Sequence, residues 1–227
     1  MNDISFKQDL FGQFARTAKA LSHANRLELL EYLAQGERTV EGLARLSGLS
    51  FANASQHLQQ LRQAGLVATR KVGQHVHYRL NGDHVVELFD VLRKVAERHV
   101  AEVGRLVNSY LLSKDDLEPV PAEELLTRVR EGTVTVLDVR PRDEFESGHL
   151  AGAVNVPLED LEHYLTQLSA DHEVIAYCRG PYCVLAFEAV ARLRAKGFTA
   201  RRLEYGYPEW KRAGLPVEGM SAMGEDK

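Results

Sequence analysis

The sequence predicts two parts of different fold class: a mostly helical N-terminal half with one β-hairpin, and a C-terminal α/β half built on a parallel sheet. Three observations carry this. Apolar residues recur at helical spacing through the first half, then give way to short apolar strands alternating with helices. Between the two patterns, Ser113 to Pro121 holds Lys-Asp-Asp, a glutamate and two prolines, the composition of a linker. The charge also divides. Residues 1–112 carry 14 Lys+Arg against 11 Asp+Glu, or +3, and residues 113–227 carry 14 against 21, or −7, which together make the net −4 of the chain.

In the first half, Leu10, Phe11, Phe14, Ala18 and Leu21 mark one helix, and Leu27, Leu29, Leu30 and Leu33 a second that ends near Gly36. A short third helix runs from Thr39, its N-cap, to Leu46. Gly48-Leu49-Ser50 makes a turn into a fourth helix, Phe51 to Ala64, closed by Gly65. Val67 to Val72 and His75 to Leu80 flank Gly73-Gln74 and read as a hairpin. A long helix then starts at Asn81-Gly82-Asp83 and runs to about Leu112, roughly 45 Å at the usual rise. Its apolar stripe from Val85 to Tyr110 exceeds what one small domain covers, which points to a homodimer.

In the second half, Val134 to Val139 and Val174 to Tyr177 are the clearest strands. Glu123 to Arg130, Leu158 to Leu168 and Val184 to Lys196 are the clearest helices. The expected organisation is a first domain at 1–112, a linker at 113–121, a second domain at 122–218 and a flexible tail at 219–227. With 44% hydrophobic and 26% charged residues the chain can bury cores. It holds no apolar run long enough to span a membrane, and Met1 to Leu10 has no apolar signal core, so a cytoplasmic location is expected.

A short helix, a turn, a second helix and a basic hairpin make a winged helix-turn-helix, which suggests double-stranded operator DNA as partner. Residues 38–82 hold six basic residues and one acidic. The fourth helix offers Ser50, Asn53, Ser55, Gln56, His57, Gln59, Gln60 and Arg62 to base edges, while Ala54, Leu58 and Leu61 face inward. Near the hairpin tip, Arg70, Lys71, Gln74 and His75 suit phosphates or the minor groove. Leu21-Ser22-His23-Ala24-Asn25-Arg26-Leu27-Glu28-Leu29-Leu30, the run Ser55 to Val67, and the wing end His77-Tyr78-Arg79-Leu80 resemble the ArsR family of bacterial winged-helix regulators. The resemblance covers about residues 9–112. It implies a transcriptional repressor that dimerises through the first and last helices of the domain. Many members sense metals through cysteines or carboxylate–histidine pairs. No cysteine precedes residue 178, and only His99 and Glu102 have ligand spacing on the last helix, so neither a metal site nor a cofactor is expected.

The second half carries Leu137-Asp138-Val139-Arg140, Glu144-Phe145, and the run Gly148 to Pro157. Next come Val174-Ile175-Ala176-Tyr177-Cys178-Arg179-Gly180-Pro181-Tyr182-Cys183, then Gly206-Tyr207-Pro208-Glu209-Trp210 with Gly214 to Val217. These three signatures, in order, resemble rhodanese-like domains over about 119–218. Cys178 ends a strand and precedes a loop, Arg179, Gly180, Pro181 and Tyr182, that enters a helix. Amides converging there favour a thiolate or persulfide anion, and Arg179 adds positive charge. The resemblance implies a rhodanese-type sulfurtransferase in which Cys178 takes sulfane sulfur from a small donor and passes it on. Related domains acting on phosphate or arsenate use a Cys-x5-Arg loop, whereas here Val184 stands at the arginine position. Two readings of Cys183 stand side by side: a resolving cysteine for a persulfide or sulfenate on Cys178, or a small buried residue opening the helix. Asp138, Arg140, Glu144 and His149 could form a catalytic set, but the resemblance implies that they hold the sheet and loop in place, with Arg142 and Arg179 the better candidates for anion contact.

Two functions follow. One is a DNA-binding repressor that senses a sulfur donor or oxidant through Cys178. The alternative is a sulfurtransferase whose DNA-binding half only regulates its own operon.

Overall fold

The computed structural model describes residues 3–168 and 172–219 and forms two compact units, 1–90 and 91–227. The first unit contains α1 (Asp3–Leu21), α2 (Ala24–Ala34), β1 (Arg38–Thr39), α3 (Val40–Ser47), α4 (Phe51–Gln63), β2 (Val67–Val72) and β3 (His75–Leu80). Helix α5 (His84–His99) begins in the first unit and ends in the second. The expected hairpin is present with the expected limits, and β1 adds an unforeseen third strand along β3, pairing Arg38 with Tyr78 and Thr39 with His77.

Local chemistry explains the helix limits. Thr39 caps α3 as its spacing predicts, its hydroxyl accepting from Gly42 N at 3.2 Å. After α4, Gly65 takes a φ of 75°, a left-handed conformation that suits glycine, and lets Leu66 N reach back to Leu61 O at 3.0 Å. The core gathers Leu29, Leu30 and Leu33 of α2, Leu43 of α3, Ala54, Leu58 and Leu61 of α4, Tyr78 of β3 and Val85 of α5.

The expected single helix to Leu112 is not continuous. Val100 is extended at φ −111° and ψ 100°, and separates α5 from α6 (Ala101–Leu106), which runs into a π-helical turn at Val107–Leu111. The apolar repeat carries across this one-residue break, which is why periodicity alone shows no interruption.

The second unit continues with α7 (Ala122–Arg130), β4 (Val134–Asp138), α8 (Arg142–Ser147), β5 (His149–Leu150) and β6 (Val154–Asn155). Then come α9 (Leu161–Tyr164), β7 (Glu173–Tyr177), α10 (Val184–Ala195), β8 (Ala200–Arg202), α11 (Tyr207–Arg212) and β9 (Val217–Glu218). Four strands form a parallel sheet in the order β6-β4-β7-β8, and β5 pairs with β9 antiparallel. The helix expected over Leu158 to Leu168 shortens to α9 and a 3-10 turn, Leu165–Gln167. Along β7 and the residue after it, the side chains alternate between two cores. Val174, Ala176 and Cys178 face one, packed under α10, while Ile175 and Tyr177 face the other with Val120, Leu125 and Trp210.

The segment with linker composition, 113–121, lies within the second unit, 91–227. Asp115 is buried between Arg194 and Arg202, at 2.7 and 2.5 Å, and Val120 bridges Leu203 beside β8. Apart from Gly219, the expected tail lies outside the described residues.

Candidate functional site

In the first unit, α4 buries Ala54, Leu58 and Leu61 and exposes Asn53, Gln56, Gln59 and Arg62. Asn53, Gln56 and Gln59 recur at three-residue spacing and share one outward face. Two of the other candidates there, Ser50 and Gln60, have hydrogen-bond partners inside the unit. Ser50 is the N-cap, its hydroxyl accepting from Asn53 N at 3.3 Å. Gln60 accepts through Oε1 from Arg26 Nη1 at 2.7 Å. Ser55 is half-buried. His57 turns toward His23, with ring centroids 4.5 Å apart, and its Nδ1 is buried without a hydrogen-bond partner among the described residues.

Arg26 is the residue that sequence reasoning missed here. Besides Gln60, it donates to the carbonyls of Ala20 at 2.5 Å and Lys19 at 3.0 Å, so it ties the end of α1 to α4. Its side chain lies 34 residues from Gln60 in sequence, and no local spacing signals the pairing.

Burial first, then His23 and Arg26, holds the His57 imidazole below its ordinary value of 6.5. The unfolded chain therefore binds this proton more readily. Stability from His57 is full above about 6.5 and is lost as pH falls below it. Thermal melts of the first unit's transition at about pH 7.5 and about pH 5.5 should show a drop at the lower value, flattened in His57→Gln. Identical pH profiles for the two proteins would contradict this.

On the wing, Lys71, Gln74 and His75 are exposed. Arg70 is exposed as well, but its Nε donates to both carboxylate oxygens of Glu37 at 2.8 Å, and His77 also lies 3.3 Å from Glu37. The hydrogen bond to Glu37, more than its charge, raises the Arg70 pKa. A phosphate would have to displace that carboxylate, so Lys71 is the more readily available cation.

In the second unit, Cys178 follows the last residue of β7, at the carboxyl ends of the parallel strands where open α/β sheets form their binding crevices. Cys183 is the N-cap of α10. The two are buried and joined by a disulfide, with Cα atoms 6.0 Å apart. Cys183 N bonds Gly180 O at 3.1 Å, turning the loop between them. The structure thus brings both predicted cysteines together and places Pro181 and Tyr182, half-buried, between them.

Arg179 has a different surrounding from the one its charge suggests. Its Nε bonds both oxygens of Glu144, at 3.1 and 3.0 Å, and its Nη2 adds a 2.8 Å bond. Glu144 is fully buried on α8. Arg179 therefore fastens the loop to α8 with its charge already matched. Gly206 fastens the other side: a Cβ there would lie 2.4 Å from Gly180 N and 2.5 Å from Arg179 C and O, so only glycine permits this approach. Next to it, Tyr207 N donates to Cys178 O at 3.1 Å.

Asp138 and Arg140 are buried at the end of β4 and paired with each other. Asp138 accepts from Arg140 N, Nε and Nη2 and from the Tyr177 hydroxyl, and Arg140 Nη2 also donates to Gly148 O. Burial first, then the Asp138 charge, pushes the Tyr177 phenol far up. His149 stacks on Phe145 with centroids 3.6 Å apart. Among the described residues no group of three or more His, Cys, Asp and Glu can hold a metal ion. Among the described residues no helix is long and apolar enough to cross a membrane.

Comparison with known families gives two matches. The bacterial regulatory protein, arsR family, model matches residues 23–69, and the rhodanese-like domain model matches residues 121–213. The HTH-type transcriptional regulator Rv0324 of Mycobacterium tuberculosis is 42% identical over 218 residues, covering 96% of each chain. A solution structure of the homodimeric winged helix-turn-helix DNA-binding domain Mb0332 from Mycobacterium bovis is 41% identical over 44% of this chain and 91% of that one, with a TM-score of 0.41. The rhodanese-like domain of the Anabaena protein Alr3790 is 31% identical over 49% of this chain and 90% of that one, also at 0.41.

Proposed function

Because the chain belongs to the ArsR-family transcriptional regulators that carry a C-terminal rhodanese-like domain, we propose that it is a cytoplasmic homodimeric repressor of operator DNA whose affinity responds to sulfane sulfur or oxidant at Cys178. The observation that carries this reading is the pairing of Cys178 with Cys183 across the loop Arg179 to Tyr182 at the strand ends. The chain has only these two cysteines, so any thiol signal begins there.

The chemistry is a balanced sequence. A Cys178 thiolate attacks the outer sulfur of thiosulfate, forming Cys178–S–S⁻ and releasing sulfite. The Cys183 thiol then attacks the Cys178 sulfur and gives up its proton to the departing outer sulfur, forming the Cys178–Cys183 disulfide and expelling hydrosulfide. A peroxide reaches the same disulfide through a sulfenate on Cys178, with loss of water. The disulfide present in the structure is the end point of either route.

DNA contact is assigned to Asn53, Gln56, Gln59 and Arg62 on α4 and to Lys71, Gln74 and His75 on the wing, with Arg70 available once released from Glu37. Gel-shift titration of operator DNA with reduced, persulfidated and disulfide protein tests the coupling. Affinities should differ by about fivefold or more between states. Equal affinity for all three would leave the sulfurtransferase reading, with regulation independent of the loop.

Dimerisation is assigned to α1 and α5, which expose Leu10, Phe11, Phe14, Leu88, Val91, Leu92 and Val95. Phe14→Glu is expected to convert a sedimenting dimer to monomer and to weaken operator binding at least about tenfold, since a palindromic site is read by both halves together. A monomeric parent at micromolar concentration would overturn the assignment.

A further inference from the structure

We propose that Arg93, on α5, is a positioning residue of the Cys178–Cys183 loop. It lies outside both family matches, 23–69 and 121–213, so neither pattern assigns it a role. Arg93 and the loop both lie in the second unit.

Arg93 reaches the loop along two paths. Its guanidinium sits 5.8 Å from the ring centroid of Tyr182, the residue before Cys183, a cation–π distance. Its Nη1 also donates to Glu209 Oε1 at 3.3 Å. The other oxygen of Glu209 accepts from Gly206 N at 3.1 Å, which sets the start of α11. Gly206 is packed on Arg179 and Gly180, and Tyr207 N holds the Cys178 carbonyl. Arg93 thus steadies the Cys183 end directly and the Cys178 end through Glu209. Both partners of the pair are little exposed, at 15% and 10% of their side chains, so solvent screens them weakly. Helix α5 runs unbroken from His84, and its Val85 belongs to the core of the first unit. The helix that steadies the thiol loop is therefore also the chain's covalent passage between the units. This last point rests on the sulfur-responsive reading above; the positioning role does not.

The test uses full-length, reduced protein carrying Cys183→Ser, so that one thiol remains. The rate of Cys178 alkylation by iodoacetamide is followed against pH in Arg93→Met, Arg93→Lys and Glu209→Gln. Arg93→Met removes the cation that faces the Glu209 carboxylate near the loop, which disfavours the thiolate. Its midpoint should rise and its rate near neutral pH fall about threefold to tenfold, the change that about half to one pH unit produces. Glu209→Gln leaves the cation and should shift the midpoint the other way, while Arg93→Lys should stay within about twofold of the parent. A merely structural lesion would move both uncharged variants in the same direction. Shifts of the same sign, or none, overturn the proposal. If Arg93→Met does not fold, the downward shift in Glu209→Gln together with the parent-like Arg93→Lys profile decides it. The functional reading fails separately, when the parent chain takes up no sulfur from thiosulfate whatever the alkylation profiles show.

Discussion

Asp138→Ala is expected to cost the second unit about 3–5 kcal/mol, the usual result of removing one partner from a buried ion pair. Asp138 and Arg140 are both fully buried, and their closest approach is 2.6 Å. The carboxylate also receives the Tyr177 hydroxyl at 2.5 Å and Arg140 N at 3.0 Å. Its loss leaves a guanidinium charged under the sheet and a phenol without its acceptor. In thermal denaturation the second unit's transition should fall on the order of 10 °C, while the first unit's transition stays in place. The double change Asp138→Ala, Arg140→Met should be less damaging than the single one, because no unmatched charge remains. A single variant that melts with the parent would show that the pair contributes nothing net to folding.

Cys178→Ser should abolish sulfur uptake. Serine keeps the size of the side chain but lacks the thiolate that attacks sulfane sulfur. Intact-protein mass spectrometry after thiosulfate or polysulfide treatment should show the parent gaining sulfur or closing its disulfide, and Cys178→Ser unchanged. Cys183→Ser should accumulate the persulfide, since the thiol that would displace hydrosulfide is missing. On operator DNA, Cys178→Ser should bind as the reduced parent does and ignore the donor. Sulfur retained on Cys178→Ser would remove this residue as the nucleophile.

These two residues were legible in the sequence for different reasons. Cys178 stands at the junction of an apolar strand and a helix, and that junction alone places it at the carboxyl ends of the sheet. Asp138 and Arg140 sit two residues apart at the end of a strand, so their pairing is local. The hairpin, the caps at Thr39 and Gly65 and the inward face of α4 were equally readable, because each depends on neighbours within a turn or on a simple period. The break at Val100 was not, since the apolar repeat crosses it.

What the sequence by itself determined is the kind of each half, the order of nearly all its elements and the place of its two thiols. Those follow from periodicity, turn residues and the scarcity of cysteine. Only the tertiary structure decided which polar side chains remain available for function. His57 is turned to His23, Gln60 is held by Arg26, Arg70 by Glu37 and Arg179 by Glu144. The hydrogen-bonded partners lie 33 to 35 residues apart. The physical reason is that a guanidinium or amide pairs with the acceptor or donor that the fold brings within reach, part-buried as at Gln60 and Arg179 or exposed as at Arg70. Which one it finds depends on how distant segments pack, and no local spacing records that.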